Sequence, residues 1–134
     1  MTPSNPHKFA VDELDEMARQ IRRDIIRMLM ISQSGHSGGP LGLAESFSSL
    51  YFSIMHYDPK NPTWPDRDYF FLSAGHLAPV WYAALARAGF YPIREMTTLR
   101  QINTRVQGHP ARGYTRGLPG IEIASGSLGQ GMSI

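Results

Sequence analysis

Across residues 11–33 the apolar side chains Leu14, Met17, Ala18, Ile21, Ile25, Met28 and Leu29 recur at steps of three and four. That spacing places them on one face of an α-helix. A helix of this length gains most of its stability from covering such a stripe, so the rest of the chain must supply a layer to cover it. Asp12, Glu13, Asp15 and Glu16 crowd the start, and Arg19, Arg22, Arg23 and Arg27 follow in the later turns. The order suits the helix dipole, positive at its N-terminus and negative at its C-terminus. The first ten residues are polar and carry Pro3 and Pro6, so residues 1–10 read as a loose N-terminal arm and 11–134 as one domain.

Residues 34–42 hold four glycines and a proline and read as a loop. Leu43, Phe47, Leu50, Tyr51 and Ile54 then mark a second helix that ends near His56, because "YDPKNPTWPDRD" carries three prolines and cannot continue it. The run 69–73, "YFFLS", has the apolar, aromatic character of a buried strand. Helices are expected over 78–88 and 93–101, a long loop over 103–120, and a glycine-rich turn entering a helix at "SGSLGQGMSI". Strand, Gly-His turn and helix in succession predict an α/β fold with a mostly parallel sheet flanked by helices. Such sheets collect ligands beyond the C-terminal ends of their strands, where Gly75-His76 falls.

The composition narrows the classes. The chain has 134 residues, 42% hydrophobic, enough for one core. No stretch approaches the ~18 apolar residues of a membrane span, and the N-terminus has no apolar signal region, so a cytoplasmic protein is expected. There is no cysteine, which removes thiolate chemistry and Cys-ligated zinc. A net charge of +2 is too small for a nucleic-acid footprint. Eleven of the thirteen basic residues are arginine, the side chain suited to fixed recognition of carboxylate or phosphate.

Three of the five histidines, His36, His76 and His109, directly follow a glycine, where random placement gives about 0.5. Three readings compete. Each ring could simply hydrogen-bond a backbone carbonyl in a tight turn. The three could bind zinc, although separations of 40 (36 to 76) and 33 (76 to 109) residues place no ligand pair on one element. Or they could donate to an anionic or polyhydroxylated ligand, with glycines letting backbone N–H groups come close. "SGSLGQG" can bind phosphate by the same logic, but its glycine order is the reverse of a dinucleotide fingerprint.

"SGHSGGPLG", "DPKNPTWPDRDYFFLSAGH", "QGHP" and "LPGIEIASGSLGQG", in this order, closely resemble the N-terminal part of transketolases. The likeness is nearest to the N-terminal subunit of split, two-chain members and runs over about residues 14–134. The resemblance implies part of a thiamine-diphosphate-binding domain in a transferase of carbohydrate metabolism. Such an enzyme moves a two-carbon ketol unit from a ketose phosphate to an aldose phosphate. It assigns His36 and His109 to catalysis, His36, His76 and His109 to the sugar, and His76, Gly126, Ser127 and Leu128 to the cofactor. Ser37 stands where the family usually has proline, and Ala111 where an acidic residue is common after "GHP".

The family's Gly-Asp-Gly motif and a later asparagine, which hold magnesium, would lie beyond Ile134, so no residue here is assigned to metal. The glutamate that activates the cofactor is normally on another domain or another chain. The expectation is therefore a chain inactive alone and completed by a C-terminal transketolase subunit or by the remainder of a longer chain, in a homo-oligomeric assembly. A non-catalytic remnant or assembly module of the same fold is the alternative. So is a segment of a related enzyme, such as a deoxyxylulose-phosphate or dihydroxyacetone synthase.

Overall fold

The computed structural model describes residues 5–112 and 117–134. Helix α1 runs over Val11–Ser32. The Glu13 carboxylate accepts from the Ala10 N–H at 2.8 Å and so satisfies a backbone donor where the helix begins. At the other end Gln33 turns left-handed at φ 51°. The expected stripe is the buried one: Ala18, Ile21, Ile25 and Met28 are in the core.

The segment 44–49 and α4, Ala78–Ala88, cover that stripe, and α4 matches the expected helix. Every residue of it except Arg87 is buried, which is the behaviour of a helix apolar on all sides. Pro79 sits in its first turn, where a missing N–H costs nothing, and Gly89 ends it at φ 96°. Trp81, Tyr82 and Tyr51 are fully buried. Each such ring removes roughly 150–250 Å² from water, on the order of 4–6 kcal/mol at ~25 cal/mol/Å². Their polar ends are matched: Trp81 Nε1–H donates to the Tyr51 hydroxyl at 2.6 Å, and the Tyr82 hydroxyl donates to the Gln107 carbonyl at 2.8 Å. The second of these bonds fixes the loop that carries Gly108 and His109.

Between these helices the chain departs from expectation. The expected loop 34–42 is shorter, because Gly38–Gly42 forms α2. The single helix expected after it is divided into α3, Ala44–Ser49, and a π-type turn, Leu50–Ile54. Leu43 breaks the helix at ψ 7° and donates back to Pro40 O instead of continuing the ladder. The wide turn closes with Met55 N–H on Leu50 O at 2.8 Å. It leaves carbonyls unpaired, and Asn5 Nδ2 donates to Tyr51 O and Met55 O at 3.0 and 2.8 Å. Asn5 is 3% exposed, so the segment expected as a loose arm is tied down from residue 5. Of the helix expected over 93–101, only a 3-10 turn forms, Ile93–Thr98.

No strand forms among the described residues, so the expected sheet is not part of this structure. A parallel strand exists only through its neighbours' N–H and C=O groups. The run 69–73 has one such contact at its end, Gly129 N–H to Ser73 O at 3.2 Å. No described helix is long and apolar enough to cross a membrane.

Candidate active site at the Gly-His turns

His76 lies in a 3-10 turn, Gly75–Leu77, that feeds directly into α4. It therefore stands at the positive end of an eleven-residue helix. The His36 ring meets it edge to face, with centroids 5.5 Å apart. Gly39 packs closely on the same turn: a Cβ there would sit 2.3 Å from Leu77 Cδ2, so the Leu77 side chain would have to shift to admit one.

His109 arrives from the other side. A Cβ on Gly75 would lie 2.7 Å from His109 Cδ2 and 2.1 Å from the Ser125 carbonyl oxygen. The glycine is thus the contact surface on which two other segments rest. Ser125 N–H also donates to Pro110 O at 2.9 Å, joining the residue after His109 to the residue before Gly126. All three Gly-His turns consequently meet around Gly75. His36 and His109 are exposed and His76 is half-buried.

Gly126, Ser127 and Leu128 form the free part of a loop held at both ends. One anchor is Ser125. The other is Ser73, whose carbonyl accepts from Gly129 N–H and whose hydroxyl accepts from Gly131 N–H at 2.9 Å. Nothing lies within 4 Å of a Cβ placed on Gly126, and Leu128 is 70% exposed, so this backbone is open to a ligand. The helix expected after it is one 3-10 turn, Gln130–Met132.

Ser125 is the residue that sequence reasoning did not single out. It is fully buried, and its hydroxyl has no hydrogen-bond partner among the described residues. Its only sequence signal is its place at the head of "SGSLGQG". A buried hydroxyl without a partner is unusual, and this one belongs to the segment that rests on Gly75 alongside His109.

Residues 14–134 match the family model described as transketolase, thiamine diphosphate binding domain. The chain belongs to this family. It is 41% identical over 119 residues to the transketolase of Buchnera aphidicola, covering 88% of this chain and 17% of that protein. It is 37% identical over 131 residues to one of the subunits of the apulose-4-phosphate transketolase of Actinobacillus succinogenes, covering 97% of this chain and 46% of that relative. The fold superposes on the transketolase of Leishmania mexicana with a TM-score of 0.83 at 34% identity, over 95% of this chain and 18% of that one. The chain thus spans less than half the length of each of these relatives.

The donors here are of the kind a polyanionic, polyhydroxylated cofactor takes: His76 at the start of α4 with the His36 ring against it, and the open backbone at Gly126. Magnesium is different. Among the described residues no group of three or more His, Cys, Asp or Glu side chains could hold a metal ion, and magnesium asks for several oxygen ligands in near-octahedral order.

Proposed function

We propose that this chain is the N-terminal part of a thiamine-diphosphate transketolase that moves a two-carbon ketol unit between sugar phosphates. The observation that carries the reading is the meeting of His36, His76 and His109 around Gly75, beside the open backbone of Gly126, Ser127 and Leu128. Thiamine diphosphate, when bound, supplies the carbanion chemistry that no side chain offers.

His76 and the start of α4 receive the cofactor's diphosphate, where the helix dipole favours negative charge. The backbone of Gly126, Ser127 and Leu128 would pack beside the cofactor. His109 donates to the donor sugar's terminal hydroxyl. His36, the exposed partner of His76, moves a proton to or from a sugar hydroxyl, a task that imidazole performs near neutral pH. No step is assigned to magnesium, whose ligands we place on the partner chain or on the remainder of a longer one.

The chain alone is inactive and works in an oligomer with a C-terminal transketolase subunit or its equivalent. Exposed Ile26, Met30, Ile31, Leu128 and Met132 support surfaces that another chain covers. The test is purification from the native source, followed by native mass, cofactor content and a ketol-transfer assay. A copurifying chain with thiamine diphosphate is the expected result. A cofactor-free species built only of 134-residue chains would overturn the enzyme reading, and transfer by the pure chain would overturn its dependence on a partner.

A further inference from the structure

We propose that Arg67 and Glu122 are a positioning pair: their contact sets the register between the two segments that hold the ends of the loop 126–128, and so sets where that backbone meets a cofactor. Arg67 Nη2 and Nε donate to Glu122 Oε1 at 2.6 and 3.2 Å, and the two side chains are only 10% and 12% exposed. The remaining nitrogen is occupied as well. Nη1 donates to Trp64 O at 2.8 Å and to the Tyr69 hydroxyl at 3.1 Å, and the guanidinium carbon stands 4.1 Å from the centre of the Tyr69 ring. With every nitrogen engaged, Arg67 is a fixed point of the fold and has no donor left for a ligand.

Both anchors of the loop trace back to this contact. From Arg67 the chain leads to Ser73, whose carbonyl accepts from Gly129 N–H and whose hydroxyl accepts from Gly131 N–H. From Glu122 it leads to Ser125, which rests on Gly75 and donates to Pro110 O. Gln130 closes the loop by donating its side-chain amide to Ala124 O. The ion pair joins positions 55 apart, 67 to 122, and the backbone bond joins positions 56 apart, 73 to 129. The two segments therefore run in the same direction from the ion pair to the loop.

At the entry to the loop the other contacts fix depth. Leu72, Leu118 and Ile121 are buried, and Gly120, at φ 85°, lies against Leu85 and Phe90. Apolar burial is non-directional and tolerates a slide along the chain. Among the described residues, Gly129 N–H to Ser73 O is the one backbone hydrogen bond between 67–73 and 122–129, and it lies at the far end. A carboxylate oxygen held by two guanidinium nitrogens is directional, and a slip of one residue, ~3.3 Å, would break it. The register rests on these contacts alone; its consequence for a cofactor rests on the function proposed above.

The experiment follows amide hydrogen exchange at Gly129 and Gly131, and the Kd for thiamine diphosphate, in the complex in which the chain is purified and at a temperature where every variant is folded. Glu122→Ala should speed exchange at both glycines about tenfold and raise the Kd about tenfold. Glu122→Gln keeps an acceptor oxygen and should show the same changes at smaller size, so it carries the test if Glu122→Ala does not fold. Arg67→Lys should recover only part, since one ammonium cannot reach Glu122, Trp64 O and Tyr69 together. Asp24→Ala breaks another buried ion pair, Arg87 with Asp24, far along the chain from the loop, and controls for lost stability. It should leave both readouts at the parent's values. Unchanged exchange in the Glu122 variants, or equal changes in Asp24→Ala, would overturn the positioning role. Faster exchange with an unchanged Kd would overturn the link to the cofactor. A parent complex that takes up no thiamine diphosphate would sink the function, and exchange alone would then decide the register.

Discussion

Arg87 grips Asp24 with two nitrogens, Nε on Oδ2 at 2.7 Å and Nη2 on Oδ1 at 2.9 Å. The pair pins the last turn of α4 to the middle of α1. Asp24 is 2% exposed and also accepts from Gln20 Nε2 at 3.1 Å, so its charge is balanced almost entirely inside the protein. Removing one member leaves the other poorly solvated. Asp24→Ala should therefore lower the unfolding free energy by about 3 kcal/mol, read as a shift of the urea midpoint. The double variant Asp24→Leu/Arg87→Met, which replaces both charges with apolar volume, should recover most of that loss. If the double variant is no better than the single, the ion pair is not what holds these helices together.

Gly75 makes a second, sharper prediction. Its missing Cβ is the space that the Ser125 carbonyl oxygen and the His109 ring occupy. Gly75→Ala must push those segments apart, and overpacking of this kind costs about 1–3 kcal/mol. The larger effect should be on ketol transfer by the assembled enzyme, since a displacement of about 1 Å at a reacting group can cost about a hundredfold. Gly126→Ala, where nothing lies within 4 Å, should leave the thermal midpoint unchanged. Equal thermal destabilisation by both would show that Gly75 is not a contact surface.

How much of this can be read from the sequence depends on distance along the chain. Helices α1 and α4 are legible because their signals are local: a periodic stripe in one, and Pro79 and Gly89 bracketing an alanine-rich run in the other. The Gly-His dipeptides point to imidazoles on close-approaching backbone, and the structure brings the three together. The run 69–73 has the composition of a strand, but strand pairing is a relation between segments that one segment cannot carry. Ser125 is illegible for the same reason. Its weight comes from Gly75 and Pro110, fifty and fifteen positions away, and nothing near it in sequence announces either contact.

The orphaned Ser125 hydroxyl leads to a prediction with two signs. A buried polar atom without a partner costs about 1–3 kcal/mol relative to solvent. Ser125→Ala should therefore raise the stability of the cofactor-free protein by about 1 kcal/mol, seen as a higher thermal midpoint. If cofactor binding gives that hydroxyl a partner, the same substitution should weaken thiamine diphosphate in calorimetric titration of the complex. A variant that is destabilised without cofactor would mean that the hydroxyl already has a partner in the free protein.

His7 predicts the acid limb of stability. Its ring lies among Phe9, Phe52 and Tyr57, with centroids 5.5, 5.0 and 6.4 Å away, and its Nε2 is buried without a partner. Burial lowers its pKa below the ordinary 6.5, and a hydrogen bond with the Ala88 backbone offsets only part of that. The unfolded chain therefore binds a proton at a higher pH than the folded one does. Stability from this residue is fully present above about pH 6.5 and declines as pH falls through the unfolded value toward the lower folded one. His7→Phe, which keeps an aromatic ring in the cage but cannot titrate, should flatten the urea midpoint between about pH 7 and pH 5 relative to the parent. An unchanged slope would place the acid sensitivity elsewhere, among the exposed carboxylates that pair with Arg19, Arg22 and Arg23.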